Sequence, residues 1–131
     1  MLVVVDASAV VHMLLSGRDG PLGGHQLAAP PLLGSEVTSV ISELAWRAEI
    51  PRDRARAAVR RLGSASIRYE RPVKLYERAI DIAEALGWAK TYDAEYIALA
   101  ELLNVPLVTL DDRLRRRAAD IVTILAPTEL K

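Results

Sequence analysis

The sequence predicts a three-layer α/β/α sandwich with a mostly parallel central sheet. Three observations predict it. Short apolar runs rich in branched residues (Leu2–Val5, Leu107–Leu110, Ile121–Leu125) alternate with longer stretches whose apolar residues recur at helical spacing. Gly, Pro and Asn mark the connections between them. A chain of 131 residues that is 51% hydrophobic is sized for one domain, residues 1–131, with a substantial core. Strands separated by helices join in parallel through right-handed crossovers.

Leu2–Val5 reads as a buried strand, and Asp6-Ala7-Ser8 supplies helix N-cap chemistry for Ala9–Leu15, which Gly17 stops. Residues 18–24 are rich in glycine and read as a loop, and Gln26–Ala29 as a second strand. Pro30-Pro31 marks a turn, and Ser35 is placed to cap a helix that runs to about Arg47. Pro51 opens the next helix at its favoured first position, ending near Gly63. Ser66–Tyr69 is a third strand. Val73–Leu86 carries Leu75, Ala79, Ile82, Ala83 and Leu86 on one face, and Gly87 fits its stop. Thr91–Leu103 is a helix, Leu107–Leu110 a strand, Asp112–Ala119 a short helix and Ile121–Leu125 the last strand.

Composition excludes several classes. With no cysteine there is no disulfide scaffold and no thiolate nucleophile or metal ligand. No apolar run approaches the ~18–20 residues of a membrane helix, and the first apolar run has no basic flank of the signal-peptide kind, so a cytoplasmic setting is expected. No G-x-x-x-x-G-K-[ST] phosphate loop is present. The formal net charge of zero hides an asymmetry: arginine outnumbers lysine 14 to 3, with clusters in 47–71 and at Arg113, Arg115, Arg116 and Arg117. Such clusters read either as solvated helix faces or as a surface for phosphates.

The acids carry the chemistry. Asp6 follows the first strand and Asp111 follows Leu107–Leu110. Asp93 starts the helix that returns to that strand through the tight Asn104-Val105-Pro106 connection, so helix and strand run antiparallel and Asp93 comes back to Asp111. Glu36, at the start of its own helix, obeys the same geometry. Singly, each could be a cap or a first-turn acid favoured by the helix dipole. Together at one edge they repel and lose solvent, and a divalent cation is the usual remedy. Oxygen donors suit Mg2+ or Mn2+. His12 and His25 lie 13 residues apart on different elements and do not make a histidine site. Acid clusters with such ions serve phosphate chemistry, and metal-assisted phosphodiester hydrolysis fits best.

Two lesser readings stand beside it. Asp111-Asp112 with Asp6 fits a receiver or haloacid dehalogenase-like acid pair, but that chemistry needs a lysine at the active edge, and Lys74 and Lys90 follow no strand. Trp46, Leu44 and Met13 could form a partner-binding patch, though such residues at helical spacing more often belong to the core. Glu43, two turns from Glu36, reads as structural or rim.

Four segments, in order, resemble a PIN-domain ribonuclease of the VapC toxin type. They are Val3-Val-Val-Asp6-Ala-Ser8-Ala, Ala29-Pro30-Pro-Leu-Leu-Gly-Ser-Glu36-Val, Thr91-Tyr-Asp93-Ala-Glu-Tyr-Ile-Ala-Leu-Ala100 and Pro106-Leu-Val-Thr109-Leu-Asp111. The resemblance implies that Asp6, Glu36, Asp93 and Asp111 are the catalytic, metal-holding acids, Asp6 and Asp93 the more central. It implies that Ser8 and Thr109 support them by hydrogen bonds. It implies an RNA substrate, a VapB-type antitoxin partner and a homodimer, with Arg113, Arg115, Arg116 and Arg117 beside the reacting edge to meet RNA. Ser39 stands where the family often has Asn, and the shortened stretch 16–28 leaves a loop where the family has its second helix. The alternative is a catalytically silent PIN-like module that binds RNA or antitoxin.

Overall fold

The computed structural model describes residues 1–17 and 20–130. Arg18 and Asp19, in the expected glycine-rich loop, lie outside the described residues. Strands β1 (Leu2–Val5), β2 (Gln26–Ala29), β3 (Ile67–Tyr69), β4 (Leu107–Val108) and β5 (Ile124–Leu125) form one sheet in the order β3-β2-β1-β4-β5. Every pair is parallel, with Val4 opposite both Ala28 and Leu107. The helices are α1 (Ala7–Ser16), α2 (Leu33–Trp46), α3 (Arg52–Ser64), α4 (Leu75–Leu86), α5 (Tyr92–Leu103) and α6 (Asp112–Ala118). Helices α1, α2 and α3 pack on one another, while α4 packs on α5, which lies against β1 and β4. This is the three-layer α/β/α arrangement.

Burial explains the composition of the central elements. Val3, Val4 and Val5 are fully buried, as is α5 from Ala94 to Ala100 apart from traces at Glu95 and Tyr96. A helix covered on one side by the sheet and on the other by α4 needs apolar or small residues all round, and its run of alanines lets the layers approach. Full burial of a side chain such as Leu99 stabilises the fold by about 2 kcal/mol. At the end of α5, Asn104 adopts a left-handed conformation (φ 56°), and the N–H groups of Asn104 and Val105 both donate to Ala100 O. Asn tolerates that conformation where a branched residue would not. The chain then turns at Pro106 directly into β4, as expected.

Several boundaries differ from expectation, each for a local reason. Helix α2 starts at Leu33, because a turn from Pro30 O to Leu33 N begins it, so Ser35 is a first-turn residue and not the cap. Pro51 is the N-cap of α3 and not its first residue. Helix α4 starts at Leu75, after a turn closed by Leu75 N on Pro72 O, and leaves Val73 wholly exposed. Strand β4 ends at Val108, since Leu110 N–H leaves the ladder and donates to Ser8 Oγ at 3.0 Å. Ile121 and Val122 are not strand residues, because their N–H groups turn back onto Ala118 O at the end of α6. Among the described residues between Gly17 and Gln26, only a 3-10 turn at Gly20–Leu22 is regular, in keeping with the expected loop.

Candidate active site

Strand order places the site. β1 leads outward to β2 and β3 on one side, and the chain then crosses to β4 and β5 on the other. The order reverses between β1 and β4, and in open parallel sheets ligands bind at the carboxyl ends of the strands at such a point. Asp6 leaves β1 there, and Asp111 follows β4.

Asp6 is buried and caps α1: its Oδ1 accepts from Ala9 N at 3.1 Å and from Ser8 Oγ at 2.7 Å. Its Oδ2 accepts from the hydroxyl of Thr109, itself buried. Thr109 Oγ1 in turn accepts from Asp111 N at 3.0 Å and lies 3.3 Å from Ser8 Oγ. Ser8 and Thr109 thus both donate to the Asp6 carboxylate. Together they tie the end of β1 to the end of β4. Asp111 caps α6, its Oδ1 accepting from Arg113 N at 2.9 Å and Leu114 N at 3.1 Å.

The other two acids arrive on helices. Asp93 stands in the first turn of α5, whose N-cap is Thr91, so of the two simple roles open to it, cap or first-turn acid, it has the second. Among the described residues nothing donates a hydrogen bond to it. Glu36 stands in the first turn of α2, and its Oε1 accepts from the buried Tyr96 hydroxyl at 2.5 Å. This bond joins α2 to α5 across the edge of the sheet.

The charges of the four act on one another in pairs. Burial, chiefly, raises the pKa of Asp6, opposed by its hydrogen bonds and helped by the charge of Asp111. Burial likewise raises Glu36, opposed by the Tyr96 bond and helped by Asp93 and Asp6. Asp93 is raised by loss of solvent and by Asp111, against the pull of Arg113. Tyr96 is held strongly in its neutral, donating form by burial and then by its bond to Glu36. Among the described residues, no three acidic or histidine side chains converge tightly enough to hold one ion as they stand. The constellation is open, yet its donors fit a hard divalent cation in kind. All are carboxylate oxygens, each acid keeps an uncommitted lone pair, and a cation would offset the negative charge gathered at this edge.

The shifts of Asp6, Glu36 and Asp93, due chiefly to burial, have a consequence for stability. With folded pKa values above the ordinary 3.8 and 4.5, the folded chain binds protons more tightly than the unfolded one. The resulting stabilisation is fully present below the ordinary carboxylate range and is lost as pH rises through the raised values. Glu101 and Glu129, held low by Arg78 and Arg115, oppose this trend, but they are surface ion pairs of small worth. Thermal unfolding in a chelator should therefore show Tm falling from about pH 4 toward pH 7. Added Mn2+ should restore Tm at the upper end, and Asp93→Asn should flatten the fall. A Tm that rises steadily over this range would show that the acids are not coupled.

Sequence reasoning missed Glu95, Tyr96, Lys90 and Trp88 as neighbours of the site. Glu95 is a fifth acid, 8% exposed, whose pKa is raised by burial and by Glu36. A glutamate in a first turn reads as a dipole-favoured surface residue, so nothing marked it. Tyr96 stood in the Thr91–Ala100 segment without a role of its own. Lys90 does reach the active edge, from the α4–α5 connection instead of a strand end, and lines an open cleft of about 460 Å³ with Asp93, Asp111, Arg113, Arg117 and Trp88. Of the arginines expected at RNA, Arg113 and Arg117 face this cleft, and Arg116 is exposed. Arg115 is turned away into an ion pair with Glu129 at 2.5 Å. Glu43 is exposed and paired with Arg47 at 2.8 Å, a rim residue as expected. Met13 is buried and Leu44 half-buried, but Trp46 is 85% exposed and is not core.

The parallel sheet, with acids at its switch point, defines an α/β class of fold. The comparisons with known proteins narrow it. The PIN domain family model matches residues 3–120. Ribonuclease VapC9 of Mycobacterium tuberculosis is 37% identical over 115 residues, covering 86% of this chain and 88% of its own. The crystal structure of PAE2754 from Pyrobaculum aerophilum superposes with a TM-score of 0.71 at 24% identity, covering 99% of this chain and 87% of the other. VapBC2 from Rickettsia felis, crystallised bound to a DNA fragment from its promoter, gives 0.66 at 12% identity over 96% and 98%. The chain belongs to the PIN-domain family, among its VapC ribonucleases.

Proposed function

We propose that this chain is a divalent-metal-dependent endoribonuclease, the toxin half of a toxin–antitoxin pair. The observation that carries the chemistry is the meeting of Asp6, Glu36, Asp93 and Asp111 at the β1/β4 switch point, where burial and mutual repulsion raise three of them. Kinship with VapC ribonucleases supports RNA as the substrate. A silent binding module is disfavoured, because four acids at a binding edge would oppose a phosphate backbone. No helix among the described residues is long and apolar enough to cross a membrane.

Asp6, Glu36, Asp93 and Asp111 would hold Mg2+ or Mn2+. When bound, such an ion neutralises phosphate charge and acidifies water. The chain's own contribution is orientation. Ser8, Thr109 and the α1 N-terminus fix the Asp6 carboxylate, the α6 N-terminus fixes Asp111, and Tyr96 fixes Glu36. Arg113 and Lys90 flank the acids and offset their repulsion of the RNA backbone.

The basic residues should not act alike. Arg113→Glu should weaken RNA binding and reduce the salt-dependence slope by about 0.7, the value for one phosphate contact on a single strand. Arg115→Glu should change binding little, because Glu129 already occupies that guanidinium. Filter binding across a salt series measures both, and equal effects of the two substitutions would remove Arg113 from the RNA path.

The partner proposed is a VapB-type antitoxin, supported by structural likeness to VapBC complexes. The chain would also pair with a second copy, for which the exposed stripe Val73, Tyr76 and Ile80 offers apolar surface. Co-expression with the product of the adjacent gene should give a stable complex with suppressed RNA cleavage. Equal activity with and without that product would refute the toxin role and leave the nuclease.

A further inference from the structure

The cleft beside Asp93 and Asp111 combines groups that acid chemistry does not require. Trp88 forms one wall. Its backbone is set by the end of α4, where Gly87 takes a left-handed conformation (φ 73°) and Trp88 N donates to Ala83 O at 2.8 Å. The guanidinium of Arg117 lies over the indole, 5.7 Å from the ring centroid, and donates to Leu86 O. Ring and guanidinium thus make a cation–π contact in the lining of the cleft. Lys90 and Arg113 also line it, and neither is ion-paired among the described residues. A volume of about 460 Å³ lies within the ~300–1,000 Å³ typical of small-molecule sites.

An aromatic–guanidinium platform beside uncommitted cations, opening onto carboxylates, is the chemistry of a nucleotide. Bases stack on aromatic rings and on arginine planes, and phosphates take lysine and arginine. We propose that this cleft is a subsite for the single nucleotide next to the scissile phosphate. Its base stacks on the Trp88–Arg117 pair, and Lys90 and Arg113 hold its phosphate. The inference rests on the nuclease reading and adds to it the residues that set base preference at one position. Trp88 and Arg117 are positioning residues here, since neither touches the reacting phosphate.

The test uses Trp88 fluorescence in a Trp46→Phe background, which removes the other tryptophan from an exposed position. Without added metal, the four nucleoside 5′-monophosphates should quench saturably, purines more than pyrimidines. Ribose 5-phosphate and inorganic phosphate should not. In cleavage of randomised oligoribonucleotides, Trp88→Leu keeps apolar packing, and Arg117→Ala removes the guanidinium over the ring together with its bond to Leu86 O. Each should raise KM about ten-fold with a smaller effect on kcat, and flatten base preference at one position beside the cut. Equal quenching by ribose 5-phosphate would reduce the cleft to an anion site and overturn the proposal. Quenching by a glutamate-rich peptide but not by nucleotides would assign the cleft to a protein and overturn it too. Cleavage with no quenching, and with unmoved base preference in Trp88→Leu, would sink the subsite alone. Nucleotide quenching by a wild type that cleaves no RNA would instead sink the nuclease reading.

Discussion

Asp93→Asn should fold as the wild type does and lose metal-dependent RNA cleavage by about a hundredfold or more. The fold should survive because Asp93 caps nothing and accepts no hydrogen bond among the described residues, so the near-isosteric amide disturbs no such contact. The charge does not survive. One of four carboxylates that would hold the ion becomes a weak neutral donor. Without metal, relief of repulsion with Asp111 and Glu36 should leave Tm unchanged or raised. With Mn2+ the wild type should gain more stability than the variant. Cleavage at the wild-type rate by this variant would refute the role of the acid quartet, while a collapsed fold would give Asp93 a structural role that its surroundings do not show.

Thr109→Val should act through Asp6. The substitution keeps shape and removes a hydroxyl that donates to Asp6 Oδ2, accepts from Asp111 N and adjoins Ser8 Oγ. Its loss leaves the N–H of Asp111 without its acceptor and frees one oxygen of a buried carboxylate. Stability should fall by about 1–3 kcal/mol, measured by urea unfolding. Groups that orient metal ligands typically matter by about 10–100-fold, so cleavage and Mn2+ affinity should both fall by that factor. Thr109→Ser restores the hydroxyl and should recover most of the activity. If Thr109→Val lowers stability but leaves Mn2+ affinity and cleavage intact, the network holds the fold without tuning the site.

The parallel sheet was legible because its central strand is buried on both faces and reads as a continuous apolar run, Val3-Val4-Val5. Asp6 and Asp111 were legible because each follows such a run directly. Asp93 and Glu36 were placed by a chain argument, helix against strand through a short turn, which Asn104 and Pro106 made secure. What stayed hidden depends on pairings remote in sequence. Nothing local says that Tyr96 reaches Glu36 across 60 residues, or that Arg115 turns to Glu129 while Arg113 faces the cleft. Lys90 and Trp88 were missed for the same reason, since the connection that carries them is brought to the acids only by the packing of α4, α5 and α6. Trp46 shows the opposite error. Its helical spacing suggested core, yet it ends α2 beyond the last buried turn.

The central claim is hydrolysis by water at the acid edge, and the termini of the cut RNA test it most directly. A 5′-labelled and a 3′-labelled oligoribonucleotide, cleaved with Mn2+ and with EDTA, would be resolved and their ends identified. The account predicts cleavage with Mn2+ only, giving 5′-phosphate and 3′-hydroxyl ends. A 2′,3′-cyclic phosphate, which requires attack by the RNA's own 2′-hydroxyl, or cleavage undiminished in EDTA, would contradict it.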